Sequence, residues 1–174
     1  RRGKHVLLTL MSYLFYGWVN PAFVLLMFLS TTIDFACGLI IARQPGQENA
    51  RWGETLIPGA DRSRSQRAAL FVSIASNLSL LGFLKYFNFG VENYNALVDT
   101  LGLGRLQWDT FFRVTLPLGI SFYTFQSMSY SIDVYRGHAR VSRSFIDFSC
   151  YVTMFPQLVA GPILRAPDFL QQCR

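Results

Sequence analysis

The residues best suited to chemistry gather in one stretch, Leu116-Pro-Leu-Gly-Ile-Ser-Phe-Tyr-Thr-Phe-Gln-Ser-Met-Ser-Tyr-Ser-Ile-Asp-Val-Tyr-Arg136. Gly119, Tyr123, Gln126, Tyr130, Asp133 and Gly137 recur at spacings of four and three, so a helix carries them on one face. Phe122, Phe125 and Ile132 lie away from the centre of that face. The run is long enough to cross a bilayer core, where such a stripe is costly against lipid. It is therefore expected to face other helices or a wet cavity, and the Gln126, Tyr130 and Asp133 set favours a cavity lining. Ser121, Ser127, Ser129 and Ser131 read as small residues that let neighbouring helices approach.

The other reactive types are scattered. A general base is most often histidine. His5 sits beside Arg1, Arg2 and Lys4, and His138 sits in a basic turn. Neither has an acid at a helical spacing, so both read as surface or headgroup-level residues. Asp34, flanked by Thr31 and Thr32, lies inside an apolar run, where an ionised carboxyl facing lipid costs at least a few kcal/mol. It is expected to be protonated, paired with a Lys or Arg, or held in an interhelical hydrogen bond that fixes packing. The packing role is favoured over catalysis. Ser144 with Asp147 three residues on reads as an acidic capping box. Arg165, with Gln157, could reach an anionic group or a lipid headgroup. No Gly-x-Ser-x-Gly elbow or phosphate loop is present. Three cysteines and two histidines form no metal spacing, and Cys37 and Cys150 read as packing residues in apolar segments.

The elements that must position these residues are long and apolar. Half of the 174 residues are hydrophobic (51%), and the charges fall between apolar runs. This composition and patterning predict an all-α integral membrane protein, read as a single membrane domain over 1–174. Spans are expected at 6–19, 22–41, 68–87, 116–136 and 145–161, with a polar loop at 42–67. Phe87, Val91, Tyr94, Val98 and Leu101 form an apolar stripe, so 88–102 reads as an amphipathic helix in the interface plane. Pro156 and Gly161-Pro162 leave 145–161 either crossing or turning back inside the protein. Lys85 is placed to snorkel at the end of its span.

The net charge of +6 raises nucleic-acid binding, but the basic residues sit in loops where membrane topology accounts for them. With the amino end in the cytoplasm, the 43–67 arginines and the Arg136–Arg143 turn also face inward. The Asn20-Pro21 turn and the 87–113 segment then face out, and about five crossings result.

The strings LPLGISFYTFQSMSYSIDVYRG and FPQLVAGPILR, with FYGW near the start and FLKYFNF in the middle, resemble the membrane-bound O-acyltransferase family. The likeness is to its alginate O-acetyltransferase branch and covers most of the chain. It implies part of a larger multi-helix fold in the bacterial inner membrane. The implied reaction moves an acetyl or other acyl group from acyl-CoA or an acylated carrier to hydroxyls of an exported polysaccharide such as alginate. Implied partners are membrane lipids, the polysaccharide acceptor and periplasmic acyltransferase proteins, with no bound cofactor. The family's catalytic histidine lies in a Trp-His-Gly-type context that this sequence lacks, so an amino-terminal fragment without its own catalytic residue is expected. Tyr123, Gln126, Tyr130 and Asp133 are then candidates for lining the substrate tunnel. Arg136 and Arg165 are candidates for holding anionic groups or closing helix ends. The alternative is a non-enzymatic transporter or scaffold segment. An inverted repeat would favour a transporter, and a face of small residues without the Gln, Tyr and Asp stripe would favour a scaffold.

Overall fold

The computed structural model describes residues 2–19, 21–43, 56–59, 61–102, 108 and 119–154. Among them every regular element is an α-helix: α1 Arg2–Val19, α2 Pro21–Ala42, α3 Arg64–Thr100, α4 Ile120–Arg136 and α5 Phe145–Thr153. Pro21 opens α2, a position where its missing N–H leaves no bond unmade. Ser63 caps α3 through a reciprocal box: its hydroxyl accepts from the Gln66 N–H at 3.3 Å, and Gln66 Oε1 accepts from the Ser63 N–H at 2.9 Å. The same Gln66 amide donates to the carbonyls of Ile41 and Arg43, at 2.8 and 2.9 Å. One side chain thereby closes the start of α3 and the end of α2, where backbone groups lack helical partners.

The stripe expected to form a separate interfacial helix at 88–102 is instead the second half of α3. The helix runs unbroken for 37 residues, about 55 Å. No proline interrupts it, and isolated glycines at 82 and 90 weaken a helix without ending it. Gln66, Ala69, Ser73, Asn77, Leu84 and Val98 are all buried and share one face, so a single stripe serves both halves.

α4 ends in a Schellman turn. The N–H of Gly137 bonds to the Val134 carbonyl at 3.1 Å, and that of His138 to the Asp133 carbonyl at 2.8 Å. Gly137 has φ +81°, and a Cβ there would run into the carbonyl of Leu56. Leu56 is itself buried, and Arg62 lies over the Tyr135 ring at 5.5 Å, so the loop before α3 is docked on the end of α4.

Helix α2 packs against all four others. Tyr130 of α4 lies against Gly38 of α2, where a Cβ would come within 3.1 Å of the ring, and stacks on Phe148 of α5 at 4.7 Å. Phe28 and Phe35 of α2 meet Phe145 edge-on at 5.7 and 5.5 Å.

Polarity is arranged the opposite way from a water-soluble bundle. Asp34, Asn77, Thr31, Ser73, Ser127 and Ser131 are fully enclosed. Leu7, Leu10, Leu14 and Trp18 of α1, Leu25 and Leu29 of α2, and Phe71 of α3 are exposed, Trp18 to 89%. Such continuous apolar faces exceed what water-exposed monomers carry and match a lipid-facing surface. Pro21–Ala42 and Arg64–Thr100 are long and apolar enough to cross a membrane. α1 begins with charged residues and α4 has 17 residues with polar groups throughout, which keeps them outside the same length and composition limits. α5 is described only to Thr153, and the Pro156 segment lies outside the described residues.

Candidate functional site

The buried polar groups form a seam between α2, α3 and α4. Asp34, from the middle of α2, is its hub. Asn77 Nδ2 donates to both carboxyl oxygens at 2.8 Å, and Ser73 Oγ donates to Oδ1 at 2.7 Å. Ser127 Oγ donates to Oδ2. Ser131 Oγ joins Ser73 Oγ at 2.8 Å. Ser73 and Asn77 stand four residues apart on α3, and Ser127 and Ser131 four apart on α4, so each pair projects from one face. Of the three expectations for Asp34, the interhelical hydrogen bond is the one observed. Its donors among the described residues are neutral hydroxyls and an amide, with no Lys or Arg. Ser127 and Ser131 are thus donors as well as small residues.

The candidates on α4 fall into two groups. Tyr123, Gln126 and Tyr130 are buried at helix joints. Tyr123 Oη donates to the Met27 carbonyl at 3.1 Å and meets Thr31 Oγ1 at 3.0 Å. Gln126 Nε2 donates to the Tyr151 carbonyl of α5 at 2.7 Å, and Tyr130 Oη accepts from the Ser142 N–H at 3.0 Å. Asp133 is half-buried, and its carbonyl takes the turn bonds of His138 and Ala139. Arg136 is exposed in the last turn of α4, where a cation suits the helix end. Arg165 and Gln157 lie outside the described residues.

A second polar contact joins α1 to α5. His5 Nδ1 of α1 bonds to Asp147 Oδ1 of α5 at 2.8 Å, with the two side chains 15% and 29% exposed. This corrects two expectations. His5, expected at the surface, is instead mostly enclosed and pairs with an acid 142 residues away, and the Asp147 carboxylate serves that pair instead of closing a capping box. The Asp147 N–H alone joins the cap, donating to Ser144 Oγ at 3.4 Å. Two turns further along α1, Tyr13 Oη meets Ser149 Oγ at 3.2 Å. His5, Thr9, Ser12, Tyr13 and Tyr16 share the face of α1 turned toward α2 and α5, a spacing of four, three, one and three visible in the sequence. His138 is exposed, as expected.

Among the described residues no group of three or more His, Cys, Asp or Glu is placed to hold a metal ion. Cys37 and Cys150 are both buried. A separate apolar cleft of about 480 Å³ lies on the carboxyl-terminal half of α3, lined by Tyr86, Phe87, Gly90, Val91, Tyr94 and Trp108. Asn95 holds Trp108 there, accepting from its N–H at 2.9 Å and donating to its carbonyl at 3.0 Å. Lys85 is exposed with its ammonium 5.5 Å from the Tyr86 ring.

Among the described residues, fold and site together define a helical membrane protein with an apolar surface and a polar, hydrogen-bonded interior. Comparison with known proteins gives the class named relatives. Over 171 residues, 98% of the chain is 36% identical to the probable alginate O-acetylase AlgI of Pseudomonas aeruginosa, covering 29% of that protein. The corresponding protein of Azotobacter vinelandii is 35% identical over 98% of the chain and 31% of its own length. A peptidoglycan O-acetyltransferase of Helicobacter pylori is 28% identical over 95% of the chain and 32% of its own length. Over nearly all of its length the chain is therefore a homologue of these alginate O-acetylases. The chain spans about three tenths of the length of these curated relatives. No family model and no solved structure matches it.

Proposed function

We propose that this chain is part of a membrane-embedded O-acyltransferase that moves an acetyl or other acyl group onto hydroxyls of an exported cell-surface polysaccharide, alginate being the leading acceptor. The observation that carries the proposal is the alignment of 98% of the chain at 36% identity with an alginate O-acetylase. The lipid-facing apolar surface and buried polar seam support a membrane location for the reaction.

In this reading the protein is a multi-pass protein of the bacterial inner membrane. Its amino end is cytoplasmic, and α1 to α4, with the segment beginning at α5, form five crossings. Acyl-CoA or an acylated carrier approaches from the cytoplasm, the polymer receives the acyl group outside, and periplasmic partner proteins take part. Tyr123, Gln126 and Tyr130 stiffen the wall of the tunnel in which donor and acceptor meet, through their bonds to α2, α5 and the 142 backbone. Asp133 and Arg136, at the inner end of α4, stand at its cytoplasmic mouth, where Arg136 suits an anionic donor. Arg165 is proposed for the same task.

The test is acyl transfer by the full-length protein carrying Gln126→Ala or Asp133→Ala. Transfer should fall on the order of tenfold or more, since small displacements of a positioning wall cost that much. Unchanged transfer at normal expression rejects the tunnel role.

A further inference from the structure

The inference rests on the acyl-transfer reading and the membrane orientation above. In that orientation α3 enters from the cytoplasmic side at Arg64 and Arg67 and runs for 37 residues. A hydrocarbon core of about 30 Å takes up about 20 residues of helix. The core therefore ends close to Lys85, which is exposed and suited to an interface. The rest of the helix, from Lys85 to Thr100, reaches about 24 Å beyond it. A tilt of about 20° shortens that reach only slightly. Phe89, Tyr94 and Leu97 are exposed on this projecting part, where lipid tails do not cover them.

The 480 Å³ cleft lies on the same part, on the side of the membrane where the polymer receives its acyl group. Its size is that of a site for a small ligand or for a short stretch of a longer chain. Four of its six lining residues are aromatic, so its walls are mostly ring faces. Trp108 packs 6.2 Å from Phe87 and is 61% exposed, yet Asn95 fixes its backbone from both sides. The wall is thus preformed. Gly90 leaves the floor open, with nothing within 4 Å of where a Cβ would stand.

Charge narrows the occupant. At about 100° per residue, Glu92 and Asp99 fall on the opposite side of the helix from Gly90. The Lys85 ammonium, in contrast, lies 5.5 Å from the ring of Tyr86, at the edge of the cleft. A phospholipid whose phosphate met Lys85 would send its tails back toward the core, away from the cleft. The negative face of an aromatic ring suits the C–H bonds that project from one face of a sugar ring. A uronate ring offers such a face together with a carboxylate for Lys85.

We propose that this cleft docks the acceptor polymer, taking a short stretch of uronate rings against Trp108 and Tyr94 with a carboxylate at Lys85. Stacking and one charge read the shape of a ring and not its hydroxyl pattern, so any stretch of the polymer can sit there and move on between transfers. The tunnel takes one hydroxyl at a time. A chain held at the cleft presents its next hydroxyl by an intramolecular step, at raised effective concentration.

The experiment uses the full-length protein in detergent and a mannuronate hexamer as probe. Binding is read by ligand-observed NMR without donor, and acetyl transfer is measured separately with acetyl-CoA and polymer. Trp108→Ala should weaken binding on the order of tenfold, the scale of one lost stacked ring. Lys85→Gln should weaken it less and remove most of its salt dependence. Gly90→Leu fills the open floor and should match Trp108→Ala, which it replaces if that variant does not fold. In transfer, each variant should raise KM for the polymer by its binding factor with kcat little changed. Variants that bind the hexamer like wild type, or that lower kcat with KM unchanged, overturn the docking site. So does a wild-type protein that does not bind the hexamer. Loss of a co-purifying protein from Trp108→Ala or Gly90→Leu, with hexamer binding intact, assigns the cleft to a protein partner and overturns it as well. A wild-type protein that binds the hexamer through these residues but transfers nothing overturns the acyltransferase reading and leaves the docking site standing.

Discussion

At the residue scale, Asp34 shows how a charge-bearing group can sit inside a membrane helix and be structural. Its donors are two hydroxyls and an amide from two other helices, all fully buried. Hydrogen bonds between membrane helices average about 0.6 kcal/mol, because the unfolded chain finds other partners in the bilayer. Removing the acceptor is worse than losing those bonds, since the enclosed Ser127 hydroxyl and one N–H of Asn77 then lose their acceptor. We predict that Asp34→Leu destabilises the full-length protein by about 3 kcal/mol. Asp34→Asn, which keeps a carbonyl acceptor, should cost about 1 kcal/mol. Denaturant titration in detergent reads both. Equal effects from the two substitutions would show that burial alone, and not the donor set, governs the site.

At the scale of elements, the two ends that carry the most specific geometry are the start of α3 and the end of α4. Gln66 joins α3 to α2, and Gly137 lets the loop at Leu56 rest on α4. Gly59 provides an internal comparison, because it has φ +79° but open space within 4 Å of where a Cβ would stand. Gly59→Ala should cost about 1–2 kcal/mol through the left-handed backbone alone. Gly137→Ala carries the same strain plus a collision with a backbone carbonyl that cannot rotate away. It should cost clearly more, at least about 3 kcal/mol. Thermal unfolding of the two variants in one detergent separates the effects, and similar shifts would mean that the loop is not docked as described.

At the scale of the whole molecule, the exposed apolar faces require a covering that water cannot supply. We predict that the protein stays with the membrane through high-salt and alkaline washes, which remove proteins held by surface charge. Detergent alone should release it. Cys37 and Cys150 are both buried, so a membrane-impermeant maleimide should leave them unmodified until the protein is unfolded. Labelling of either in intact membranes would contradict the packing of α2 or α5.

What the sequence alone determined is the part governed by local rules. Apolar runs of the right length located α1, α2 and the first half of α3. Spacings of three and four put Tyr123, Gln126 and Tyr130 on one face of α4, and Gly137 marked its end. The likeness to acyltransferases was legible because short strings such as LPLGISFYTFQ carry identity without any need of the fold. What only the tertiary structure decided depends on residues distant in the chain. Nothing near His5 indicates Asp147, 142 residues away. Nothing in the 68–87 run says that Ser73 and Asn77 turn toward Asp34 and away from lipid, because an isolated serine or asparagine can face either way. The continuity of α3 was also a tertiary matter. Its carboxyl-terminal half looked amphipathic by itself, and only packing along one uninterrupted stripe from Gln66 to Val98 shows why the helix does not bend into the interface. Periodicity says which side chains share a face. Which other face they meet is settled when the helices pack and every buried donor must find its acceptor.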